Sequence, residues 1–156
     1  MKEKEEFKLL KEWQERLGLQ DWQIKFKPNC KSEEVDEGNS IGETLWSTTN
    51  KSAIIKIIAE EEYSEEYIIP YDFEKTLVHE LLHIKFSLID KDLNTYEGAV
   101  AEQARHQLID DLARAFVMAK RGKTNRGELY EKEKQNKRIK RNKTYIDKLR
   151  YNSNYI

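Results

Sequence analysis

Cysteine and long apolar runs are what this sequence most lacks. Its 156 residues include one cysteine, Cys30, which rules out an internal disulfide framework and suits a reducing cytosol. No apolar run approaches the roughly 20 residues of a membrane-spanning helix, and residues 1–6 lack the apolar segment of a signal peptide. We therefore expect a soluble, cytoplasmic protein with no membrane partner.

Charge, in contrast, is abundant and unevenly distributed. Charged residues make up 37% of the chain and hydrophobic residues 38%, so we expect one domain with a modest core and an appendage outside it. Residues 1–119 hold 15 basic and 25 acidic side chains, whereas residues 120–156 hold 13 and 4. The sequence thus predicts a domain over residues 1–122 and a basic C-terminal extension over residues 123–156.

The spacing of apolar residues predicts an α+β fold. Helices are expected over residues 7–17, 73–87 and 96–121, and strands over residues 22–26, 41–48 and 53–59. Gly18 and Gly122 should end the outer two helices, and Asp72 should be the N-cap of the middle one. The first strand is expected to stop at Pro28, and the third, apolar nearly throughout, to lie inside the sheet. Weak apolar periodicity in the extension is compatible with a projecting helix.

Two of the three histidines stand four residues apart, with a glutamate directly after the first, in His79-Glu80-Leu81-Leu82-His83. On a helix, His79 and His83 share one face, which suits two ligands of a single tetrahedral zinc ion. Glu80 would then point toward the open side of the metal and act as the general base of a metallopeptidase, taking a proton from zinc-bound water. Apolar neighbours predict that this helix is largely buried. A core histidine pair and a closed structural zinc site are the less favoured alternatives.

A catalytic zinc site needs a third protein ligand, and the following helix offers Glu97, Glu102 and His106. On a helical wheel centred on Leu108, Glu102 falls inside the edge of the apolar arc and His106 just beyond it. With 29 acidic residues, a carboxylate at a suitable spacing is expected by chance, whereas the only remaining histidine is not. This argument favours His106.

Eighteen residues separate His83, the second histidine of the His-Glu-x-x-His motif, from Glu102. This arrangement resembles the gluzincin class of zinc metallopeptidases. In that class a glutamate on a following helix is the third ligand, typically with a small residue seven positions later. The residue seven positions after Glu102 is Ile109, which departs from this pattern, whereas the residue seven positions after His106 is Ala113, which fits it. Both Glu102 and His106 therefore remain candidates for the third ligand.

The order of elements over residues 41–121 is similar to small single-domain zincins, such as SprT-like proteins and metallopeptidases encoded by phages and mobile elements. This resemblance implies a minimal zincin-like fold: an N-terminal helix and a small, mostly antiparallel sheet, packed on the motif helix and a second ligand-bearing helix. It also implies a zinc cofactor and a protein or peptide substrate, bound as an added strand on an edge strand. Residues 41–48 are the candidate edge strand.

Arg105 and the basic residues of the extension are two further candidate functional features. Arg105 falls in the apolar arc of its helix, where it could stabilise an oxyanion, although an ion pair with Glu102 or Asp110 is the favoured interpretation. In the extension, five cations have the composition of a nucleic-acid phosphate-binding segment: Lys137, Arg138, Lys140, Arg141 and Lys143. The alternative to a zinc-dependent peptidase is therefore a nucleic-acid-associated or regulatory protease-like binding protein whose zinc site is not catalytic.

Overall fold

A computed structural model of the protein describes residues 3–38, 40–64, 68–87 and 96–122, and these residues form a mixed fold of helices and one sheet. This confirms the predicted α+β class. In chain order the elements are α1 (Glu3–Arg16), β1 (Gln23–Cys30), β2 (Gly42–Ser47), β3 (Ser52–Ile58), α2 (Phe73–Phe86) and α3 (Tyr96–Lys120). Residues up to Lys120 form one compact unit. The predicted extension over residues 123–156 lies outside the described residues, and its boundary stays a prediction.

The sheet has the strand order β1-β3-β2, so β3 is the central strand, as its apolar sequence predicts. β2 and β3 pair antiparallel across a short turn, with Gly42 opposite Ile57 and Ser47 opposite Ser52. β1 pairs with β3 in parallel, with Ile24 opposite Ala53. The expectation of a mostly antiparallel sheet is therefore wrong for one of the two pairings. The chain between β1 and β2 crosses to the far side of β3, which leaves β1 and β3 running in the same direction.

β1 also continues past Pro28, where the sequence predicted that it would stop. The pairing register shifts between Lys27 and Cys30, so Pro28 and Asn29 form an irregularity in an edge strand. Proline is tolerated there because it has no N–H to leave unpaired. Asn29 has a φ of 57°. Its side chain donates a hydrogen bond to the buried Glu6 carboxylate at 2.9 Å, which stabilises this irregularity.

Helix α2 lies at the centre of the core. Its N-cap is Asp72, as predicted, and the Asp72 side chain accepts a hydrogen bond from the backbone N–H of Lys75 at 3.1 Å. Side chains from α1, β1, β3 and α3 cover its apolar surface. The buried residues include Leu10 and Trp13 of α1, Phe26 of β1, Ile55 and Ile57 of β3, Leu77, Val78, Leu81 and Ile84 of α2, and Ile109, Ala113 and Val117 of α3. The prediction of a buried motif helix is confirmed. Among the described helices, none is long and apolar enough to cross a membrane.

Candidate metal centre

Helix α2 places His79 and His83 one turn apart on the same face. Their Nε2 atoms lie 3.2 Å from each other, and their ring centroids are 5.0 Å apart. His83 is buried and His79 is partly buried. The two imidazoles therefore point their Nε2 atoms toward a common point, as the spacing of the motif predicts.

Helix α3 brings His106 to the same point. The His106 ring centroid lies 4.7 Å from that of His83 and 6.0 Å from that of His79. One ligand atom from each of the three imidazoles lies within 4.8 Å of the others. We call His79, His83 and His106 the histidine cluster.

His106 is itself exposed, but it lies on the same face of α3 as a buried stripe. Ile109, Ala113 and Val117 are almost completely buried and follow His106 at steps of three and four residues, on one face of the helix. The helical wheel centred on Leu108 was wrong, because Leu108 is 52% exposed. The apolar arc on the helical wheel of α3 was too broad to show which of its residues face α2.

The donor atoms of the cluster fit a zinc ion. Zinc binds imidazole nitrogen at about 2.0–2.1 Å in tetrahedral geometry, which puts two nitrogen ligands about 3.3 Å apart, close to the Nε2 separation of His79 and His83. Burial, together with the neighbouring imidazoles, lowers the pKa of His83 to about 3, and burial lowers that of His79 to about 4. Both side chains are thus neutral at pH 7 and can offer lone pairs to a cation.

The alternative third ligand, Glu102, lies at the mouth of the site. Its side chain is 57% exposed, and its Oε1 lies 3.8 Å from a guanidinium nitrogen of Arg105. Glu102 lines the cavity next to the cluster, but it does not belong to the group of converging ligand atoms found in the described part of the chain. The side chain of Glu97 lies outside the described part.

A carboxylate behind the cluster went unnoticed as a site residue in the sequence. Oδ1 of Asp110 lies 3.7 Å from Nδ1 of His79, on the side of the ring away from His83. Lys75 and Arg114 hold Asp110 at 2.7 and 2.6 Å. Burial acts to raise the pKa of Asp110, but these two cations outweigh it and the pKa is lowered. The four-residue step from His106 to Asp110 was the signal that could have revealed it, since both then face α2.

Glu80, the predicted general base, follows His79 directly on α2. Its side chain lines the same cavity as the cluster and is only 5% exposed. Thr44 of β2 donates a hydrogen bond to Oε2 of Glu80 at 2.7 Å. Burial raises the pKa of Glu80 to about 7, although the Thr44 hydrogen bond works against this. A carboxyl group with a pKa near neutrality can both accept and return a proton at pH 7.

The cluster opens into a cavity of about 540 Å³ between β2, α2 and α3. Trp46 of β2 stacks on His83, with the ring planes 18° apart and the centroids 6.3 Å apart. Arg105 also lines the cavity, with a side chain that is 14% exposed, and its positive charge helps to lower the pKa of His83. Among the described strands β2 lies at an edge of the sheet, which is the position predicted for the strand over residues 41–48.

The five cations predicted to contact nucleic acid, Lys137, Arg138, Lys140, Arg141 and Lys143, lie outside the described residues. The structure therefore brings together His79, Glu80, His83 and His106, and it places Glu102 at the rim of the same cavity.

No family model, curated protein or solved structure matched the chain when it was compared with each of these groups.

Proposed function

We propose that this protein is a zinc-dependent peptidase with a minimal zincin-like fold. The observation that carries the proposal is the convergence of three imidazoles beside a buried glutamate that lines the same cavity. His79, His83 and His106 would hold the ion, and three protein ligands are the number typical of catalytic zinc sites, which also bind water or substrate. A structural zinc site would instead use a fourth Cys or His ligand. The only cysteine, Cys30, is buried in a separate small cluster with Val35 and Ile58.

When bound, the zinc ion supplies Lewis acidity, which makes a water molecule easier to deprotonate and a carbonyl group easier to attack. Side chains of the protein transfer the proton and stabilise the oxyanion. The carboxylate of Glu80 takes the proton of the attacking water and returns it to the amine of the leaving peptide. Its raised pKa, near 7, lets one group perform both transfers. Arg105, beside His83 in the cavity wall, is the donor we assign to the developing oxyanion.

Peptide substrates would bind along β2. In the part of the chain that the structure describes, β2 pairs with β3 on one side, and an extended peptide would pair with its other side. The inner face of β2 contacts Glu80 and His83. A peptide added to this edge would pass the cavity that holds the cluster. The position of the cavity beside this strand supports a protein or peptide substrate.

The proposal is tested by zinc analysis and by cleavage of fluorescein-labelled casein, an unfolded protein that exposes many extended segments. We expect one zinc per chain and slow hydrolysis that stops on chelation and returns with zinc. Glu80→Gln should keep its zinc and lose at least about 100-fold in kcat, which is the usual contribution of a general base. A Glu80→Gln protein that cleaves as fast as the wild type, or a wild type without stoichiometric zinc, would refute the proposal.

A further inference from the structure

The carboxylate of Glu80 contacts strand β2 through both of its oxygens. Side chains alternate along a strand, so Gly42, Thr44 and Trp46 share the face that meets α2. Oγ1 of Thr44 lies 2.7 Å from Oε2 of Glu80. On the other side of the carboxylate, a Cβ built on Gly42 would lie 2.5 Å from Oε1. Each oxygen therefore faces a different residue of the same strand.

The Thr44 hydroxyl has one proton to donate and two acceptors nearby. Its distance to Oε2 of Glu80 is 2.7 Å, and its distance to the Glu80 backbone carbonyl is 3.3 Å, so the carboxylate receives the stronger bond. Thr44 is buried, so water does not compete freely for this hydroxyl. Valine has the same shape without the donor, which makes Thr44→Val a clean removal of the hydrogen bond.

Gly42 is needed for space rather than for backbone conformation. The described glycines with positive φ are Gly18, Gly38 and Gly122, and Gly42 is not among them. A methyl group at Gly42 would also lie 3.0 Å from Cδ of Glu80 and from Cγ2 of Thr76. Real Cβ atoms essentially never approach other atoms to 2.5 Å, so the Glu80 carboxylate would have to leave the position in which it accepts the Thr44 hydrogen bond.

We propose that Gly42 and Thr44 are positioning residues that hold Glu80 in the orientation required for proton transfer. This inference rests on the proposed function and deepens it. β2 would then act on both partners of the reaction, because its inner face would fix the base and its side opposite β3 would align the peptide. A substrate paired with β2 would have a fixed position relative to the base, since one strand determines where both lie.

The first test compares Thr44→Val, Thr44→Ser and the wild type on casein, with zinc content measured for each. We expect Thr44→Val to keep its zinc and its KM within about twofold, and to lose at least about tenfold in kcat, because a misplaced base forfeits part of its effect. Thr44→Ser restores the donor and should stay within about threefold of the wild type. Thr49→Val, which removes an exposed hydroxyl from the β2–β3 turn, is the control and should be neutral.

The second test does not depend on activity. The thermal midpoint Tm is measured in zinc-containing buffer for the wild type, Gly42→Ala, Glu80→Ala and the double variant. If the added methyl group acts on the Glu80 carboxylate, Gly42→Ala should lower Tm by at least about 3 °C more in the wild type than in Glu80→Ala, which corresponds to roughly 1 kcal/mol of coupling. Equal Tm changes in both backgrounds would overturn the role of Gly42.

The two proposals can fail separately. If the wild type cleaves casein and Thr44→Val is fully active, the positioning role is wrong and the peptidase stands. If the wild type binds zinc but cleaves nothing, the peptidase is wrong, and the positioning role falls with it. The Tm coupling then still reports whether Gly42 constrains the Glu80 side chain. Loss of zinc from Thr44→Val would also count against the inference, because it would place Thr44 in the metal site.

Discussion

Oδ1 of Asp110 lies 3.7 Å from Nδ1 of His79, while the same oxygen pairs with Lys75 at 2.7 Å. The contact joins α3 to α2 directly behind the histidine cluster. A carboxylate on the Nδ1 side favours the tautomer whose proton is on Nδ1, which leaves the Nε2 lone pair for a metal ion. In a zinc-bound protein, Asp110 would thus be placed to orient the His79 ring and to increase its basicity.

Replacing Asp110 with asparagine should weaken zinc binding by about 10- to 100-fold, the usual cost of losing a carboxylate behind a histidine ligand. The zinc Kd is measured by competition with a chromophoric chelator. The matched control is Asp111→Asn, since Asp111 is 67% exposed, belongs to the same helical turn and also contacts Arg114. Equal zinc affinities for the two variants would contradict the role given to Asp110.

Zinc retention should distinguish the two candidate third ligands. His106→Ala removes a member of the converging group and should lower zinc affinity by at least about 100-fold, because two histidines alone make a weak site. Glu102→Ala changes a largely exposed side chain outside that group and should keep stoichiometric zinc. Zinc content after dialysis is the measurement. The opposite result would assign the third position to Glu102.

The metal-free protein should lose stability as the pH falls below about 6.5. The pKa values of His79 and His83 are lowered to about 4 and about 3 in the folded state, from 6.5. Between these values the unfolded chain binds more protons than the folded chain, so protonation favours unfolding. The raised pKa of Glu80 works in the opposite direction between 4.5 and about 7.

Urea denaturation of chelator-treated protein at several pH values measures this effect. The control is His79→Asn combined with His83→Asn, which removes both titrating groups and leaves Glu80 in place. The free energy of unfolding should fall more steeply between pH 6.5 and pH 4 for the wild type than for the double variant. Identical slopes would mean that the two histidines titrate normally in the folded protein.

Lys120 should stabilise the packing of α3 on the other two helices. Its Nζ donates to Glu74 at 2.6 Å and to Glu12 at 2.8 Å, and Trp13 donates to the same Glu74 oxygen at 2.9 Å. Lys120→Met removes the cation from a buried carboxylate and should cost roughly 1–3 kcal/mol of unfolding free energy. Lys8→Met, at an exposed position of α1, is the control and should cost less than about 0.5 kcal/mol in the same urea titration.

Local patterns were sufficient to predict the helices and the motif. Asp72, with its short polar side chain ahead of an apolar run, correctly predicted the start of α2, and Gly18 and Gly122 both adopt the positive φ expected beyond a helix end. The one-turn spacing of His79 and His83 was sufficient to place both rings together, because helix geometry alone determines it. These features depend on neighbours within a few residues.

Features that depend on packing between elements could not be read in the same way. The rotation of α3, which brings His106 to the cluster and leaves Leu108 exposed, is decided by contact with α2 rather than by the α3 sequence. Gly42 and Thr44 gave no signal, since their importance arises from a side chain in another element. The direction of β1 was equally hidden, because alternation in a strand is the same for parallel and antiparallel partners.

The parallel pairing of β1 with β3 has a consequence for how the chain folds. The β2–β3 hairpin joins residues close in sequence, whereas β1 can dock only after β3 exists and the intervening loop has been closed. We therefore expect β1 to dock more slowly than the β2–β3 hairpin forms, and until it docks one side of β3 is available to strands of other molecules. During synthesis or refolding, the central strand is the segment through which chains of this protein would associate wrongly.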